Sequence, residues 1–97
     1  MQRDQIVQTF EAFFEKYKKT EGDRTSWSAH WTEVMPSGAS VEINLTKCPA
    51  GTIFKVFKNR KKLGELKGWD AFFDGIGPML GADWDAEAFF TSMQDVA

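Results

Sequence analysis

Residues 27–46 read WSAHWTEVMPSGASVEINLT, and this stretch decides the fold. Apolar and polar residues alternate along it with a period of two. Trp27, Ala29 and Trp31 fall on one face, with Ser28, His30 and Thr32 on the other. After a break, Val41, Ile43 and Leu45 alternate with Ser40, Glu42, Asn44 and Thr46. Such alternation marks a strand with one buried and one wet face. Between the two runs, MPSG puts proline at the second turn position and glycine at the fourth, which suits a type I turn. The stretch is therefore predicted to form an antiparallel hairpin.

Moving outward, the CPAG connection leads into TIFKVFK (residues 52–58), where both faces are apolar: Phe54 and Val56 on one, Ile53 and Phe57 on the other. A short strand, KLGEL (residues 62–66), follows. A turn at residues 59–61 sets Lys55 opposite Glu65, Phe57 opposite Leu63 and Phe54 opposite Leu66, all favourable cross-strand pairs. Asn59 is the residue of that turn best suited to positive φ. The two-faced strand leaves one apolar pair in water unless a helix crosses it, and the C-terminal helix is expected to do so.

The flanks switch to helical spacing. In residues 4–20, Ile6, Val7, Phe10, Phe13, Phe14 and Tyr17 form one stripe, with Asp4 as N-cap and Gly22 as the stop. Trp69, Phe72, Phe73, Ile76 and Leu80 form a second stripe, expected to break near Gly75, Gly77 and Pro78. A last helix, capped by Asp83, carries Trp84, Ala88, Phe89, Phe90, Met93 and Val96. Ala-Phe-Phe occurs at 12–14, 71–73 and 88–90, in each case inside a helix, and is read as core packing. The prediction is one α+β domain spanning residues 1–97, in the order α-β-β-β-β-α-α. A four-stranded antiparallel meander is packed by helices.

Composition agrees with a single domain. Ninety-seven residues are too few for two cores, and nine Phe and four Trp supply much apolar area. The single cysteine, Cys48, forms no internal disulfide and suits a reducing compartment. No stretch resembles a signal peptide or reaches membrane-spanning length, so a cytoplasmic protein is expected.

The net charge of −2 conceals a separation. Lys47, Lys55, Lys58, Arg60, Lys61, Lys62 and Lys67 stand against Glu65 alone in residues 47–67. In residues 68–97, Asp70, Asp74, Asp83, Asp85, Glu87 and Asp95 meet no base. Catalytic motifs are absent: His30 sits mid-strand, Cys48 precedes a proline, and one His with one Cys makes no metal site. No catalytic residue, metal or cofactor is assigned.

The charges point instead to binding. The expected activity is that of a small non-enzymatic regulator or inhibitor, of the type phages and mobile elements encode, docking on a macromolecular protein partner. The residues chosen for contact are Phe57, Lys58, Arg60, Lys61 and Lys62 at the hairpin, with Asp83, Asp85 and Glu87 as a second face. The partner is expected to belong to a nucleic-acid-handling complex. The alternative is direct nucleic-acid binding by the basic hairpin at residues 55–67, which the acidic pI near 5.3 disfavours. Both rest on the two charge sets occupying separate patches in space.

Overall fold

A computed structural model describes residues 1–22 and 24–97, with Glu21 described by its backbone alone. Helix α1 (Arg3–Tyr17) leads into five strands: β1 (Lys19–Glu21), β2 (Ser26–Val34), β3 (Ser40–Cys48), β4 (Gly51–Lys58) and β5 (Lys61–Lys67). Helix α2 (Trp69–Leu80), a 3₁₀ turn at Gly81–Asp83 and helix α3 (Ala86–Val96) complete the chain. The strands pair in sequence order, each antiparallel to the next. The α+β class and the meander are as expected, but the sheet has five strands rather than four.

The extra strand comes from a segment assigned to α1. Past Tyr17 the apolar stripe runs out, and Lys18 is already extended (φ −60°, ψ 143°). Lys19–Glu21 instead complete a ladder against Ser26–Ser28. The start of α1 also differs: Gln2, not Asp4, is the N-cap, and its N–H donates to the Gln5 side chain (2.9 Å). Asp85 rather than Asp83 caps α3, accepting the Ala88 N–H at 2.9 Å, because Gly81–Asp83 is spent in the 3₁₀ turn.

Helix α2 is continuous through Pro78. Pro78 gives up the bond its N–H would make to the Asp74 carbonyl, and the helix runs only two residues beyond it. Gly77 before it has no Cβ to meet the proline ring, which relieves the usual clash with a helical neighbour.

All three helices pack on one sheet face. Ile6, Phe10, Phe13 and Phe14 of α1, Phe72, Ile76 and Leu80 of α2, and Phe89, Phe90 and Met93 of α3 share one cluster with Ala29, Val41, Ile43, Leu45, Phe54 and Val56. Phe54 is central, with ring centroids 4.5 Å from Phe72, 4.7 Å from Trp69 and 6.0 Å from Phe10. Of the Ala-Phe-Phe rings only Phe73 stays half-buried, under the Arg3 guanidinium (4.9 Å). Trp27, expected inside, is 39% exposed. It lies at the end of β2, where the Lys18 ammonium rests over its ring (5.4 Å).

The opposite sheet face carries no helix, which corrects the expected crossing of the C-terminal helix. Register settles which residues lie there. Ile53 pairs with Thr46 and Lys67, Lys55 with Asn44 and Glu65, and Phe57 with Glu42 and Lys62. None of them belongs to the core cluster.

Candidate functional site

The β4–β5 hairpin is tighter than the sequence implied. Lys58 pairs with Lys61 and Phe57 with Lys62, so the turn is Asn59-Arg60 alone. Both residues have positive φ, 50° and 71°, as a two-residue turn matched to strand twist requires. Asn59 is held by a double contact with Ser40: its N–H donates to the Ser40 carbonyl (2.8 Å), and its Oδ1 accepts the Ser40 N–H (3.0 Å). An irregularity beside Val56 and Phe57 absorbs Leu63, after which Lys55–Glu65 and Phe54–Leu66 pair as anticipated. The expected Phe57–Leu63 pair is replaced by Phe57–Lys62.

This register divides the basic residues. Lys58 and Lys61 share the parity of Val41 and lie on the helix side. Phe57 and Lys62 lie on the free face, with Lys55 and Lys67 along the same surface. Arg60 occupies the tip. Lys62 reaches back to Glu65 (2.6 Å), and that hydrogen bond, with the ammonium's charge, holds the Glu65 carboxyl below its ordinary value. Arg60 and Lys61 have no ion pair among the described residues. Lys55 and Lys67, not chosen from sequence, follow from the period of two once Phe57 is placed outside.

The three acidic residues chosen for contact are each occupied. Asp83 accepts a hydrogen bond from Lys58 at 3.0 Å. That bond, then one from Ser37, holds its carboxyl below the usual aspartate range. Asp85 is the α3 cap. Glu87 pairs with the amino terminus of Met1 at 2.7 Å. The two charge sets therefore meet at Lys58–Asp83, and each of the three chosen carboxylates has a partner within the fold.

His30 of β2 is exposed on the free face opposite Asn44 of β3, and Cys48 ends β3, its thiol 3.5 Å from the Gly51 carbonyl. Four residues of strand separate their positions, roughly 13 Å, so the two side chains do not meet. No helix among the described residues is long and apolar enough to cross a membrane. No protein-family model, curated protein or solved structure matches the chain.

Proposed function

We propose that the protein is a non-enzymatic binding module, of the regulator or inhibitor type, that docks on an acidic patch of a protein partner through the β4–β5 hairpin and the adjoining free sheet face. One observation carries it. Ile53 and Phe57 lie half-buried on a face without a helix among the described residues, with Lys55, Lys62 and Lys67 against Glu42 and Glu65, beside a tip where Arg60 and Lys61 have no ion pair among the described residues. An apolar pair in a charged rim, with unpaired cations at the tip beside it, is the composition of an interface, with apolar side chains to be desolvated and charges to steer the approach. Asp83, Asp85 and Glu87 hold the fold in this reading and are not contacts.

The test is affinity capture from the source cells, comparing the native chain with an Arg60→Glu/Lys61→Glu variant. A protein captured by the native chain is expected to be lost by the variant, with the melting temperature nearly unchanged because neither side chain is buried. Equal capture by both overturns the proposal. Gel shifts with mixed DNA and RNA separate the alternative: neutralising about five phosphates makes affinity fall roughly 10²- to 10³-fold between 50 and 200 mM salt.

A further inference from the structure

The two edges of the sheet are built differently. Strand β5 is guarded by Lys61, Lys62 and Lys67 and by the irregularity at Phe57, the usual means of blocking strand addition. Strand β2 has no such guard. Its partner β1 covers only Ser26–Ser28, so Ala29–Val34 form a bare edge. That run, AHWTEV, holds no lysine, proline or bulge. Its one charge, Glu33, faces the helices and accepts the Trp31 indole N–H (3.2 Å).

The direction of the backbone groups follows from the ladder. Ser40 exchanges hydrogen bonds with Asn59, so the even-numbered residues of β3 face β4 and the odd-numbered ones face β2. Across the β2–β3 register, Ala29, Trp31 and Glu33 therefore bond to β3. His30, Thr32 and Val34 aim both N–H and C=O away from the sheet, beyond Ser28 where the β1 ladder ends, and no loop or turn bond reaches them among the described residues. Val34 is 64% exposed.

Beside this edge runs a groove of about 400 Å³ lined by the apolar Phe13, Tyr17, Ala29, Trp31 and Val96 and by the polar Lys19, Ser28 and His30. Its walls are fixed: the Trp31 ring stands edge-on to Phe13 (5.5 Å), and Lys16 and the Tyr17 hydroxyl both donate to the Val96 carbonyl (3.0 and 3.3 Å). Lys16 and Lys19 have no carboxylate within ion-pair distance among the described residues.

We infer that the bare edge of β2 binds an extended peptide segment as an added antiparallel strand in line with β1, with an apolar residue in the groove beside Trp31 and an acidic group next to Lys19. The outward N–H and C=O groups supply affinity, and the groove and the lysine supply sequence preference. This site is on the sheet edge remote from the β4–β5 hairpin and stands whether or not the hairpin docks.

The test starts from short random peptides displayed on phage, selected on the full chain, with the enriched peptide resynthesised. It is expected to carry an apolar residue followed by an acid, and to shift the backbone amide resonances of His30, Thr32 and Val34. N-methylation at alternate positions, moved along the peptide, is expected to weaken binding by at least about tenfold wherever the methylated amide faces β2, and little elsewhere. Thr32→Pro removes an outward N–H without touching the ladder to β3, so it is expected to fold and to lose binding. Arg60→Glu/Lys61→Glu is expected to bind the peptide normally. No enriched pattern, or N-methylation that acts without alternation, overturns the inference. Self-association of the free chain that Thr32→Pro abolishes also overturns it, giving the edge to a second copy. The methylation series uses the native chain and decides the matter even if Thr32→Pro misfolds.

Discussion

Asp83 ties the acidic C-terminal third to the base of the basic hairpin, and its titration reports that tie. Lys58 stabilises the charged carboxylate by a 3.0 Å hydrogen bond, so the folded-state pKa lies below the ordinary value of 3.8. A carboxylate with a depressed folded pKa binds its proton more readily in the unfolded chain. Its contribution to stability is therefore complete above pH 3.8 and is lost as pH falls through the lower folded value. Both partners are about a third exposed, so solvent screens the pair and the effect on the whole fold is small. Carbonyl-carbon NMR should show Asp83 titrating below the ordinary aspartate range. Lys58→Met should return it upward while Ser37 still keeps it slightly depressed, and a normal titration in the native chain rules the contact out. Glu65 behaves likewise through Lys62, at a site where the basic cluster again satisfies its own acid.

At the scale of elements, the hairpin tip combines strain with exposure. Arg60 holds φ at 71° with a full side chain, a conformation that costs a non-glycine residue about 1 kcal/mol. Arg60→Gly should therefore raise the unfolding free energy by about 0.5–1 kcal/mol in urea titrations, while weakening any docking in which the guanidinium takes part. A variant that is more stable and binds less separates a residue kept for contact from one kept for folding. The strain also explains what the sequence left obscure. The period-two runs made β2, β3 and β4 readable, and the aromatic stripes did the same for the three helices, since burial dictates both patterns. Lys19–Glu21 carries no alternation, because three residues are too few and their pairing depends on β2 alone. Turn length was misread at Arg60 because arginine gives no sign of positive φ. Continuity of α2 was hidden because Pro78 argues for a break, whereas its harm depends on how near the helix end it stands. The candidate contact residues were legible as charges, but their allotment to sheet faces was not, since the shorter turn sets Lys62 opposite Phe57 and Lys61 opposite Lys58 before the irregularity restores the expected register.

For the whole molecule, the decisive asymmetry lies between the two faces of one strand. Phe54 and Phe57 are close in sequence and identical in chemistry, yet rings of α1 and α2 converge on the first and no helix among the described residues covers the second. Phe54 is fully buried amid Phe10, Trp69 and Phe72. Truncating a ring in such a setting costs about 3–5 kcal/mol, a large part of the 5–15 kcal/mol typical of a whole domain. Phe54→Ala should therefore unfold the chain or leave it marginal by calorimetry. Phe57→Thr keeps a good strand former on the helix-free face and should cost only about 1 kcal/mol. If Phe57→Thr destabilises as much as Phe54→Ala, Phe57 belongs to the core, and the free face loses the apolar centre that sets it apart from ordinary solvated sheet. If it is tolerated while capture of the partner declines, the large ring has been kept on the helix-free face for something outside the fold. The lysines around it act in the same direction, since they keep a half-buried apolar pair soluble while leaving it accessible to an acidic surface.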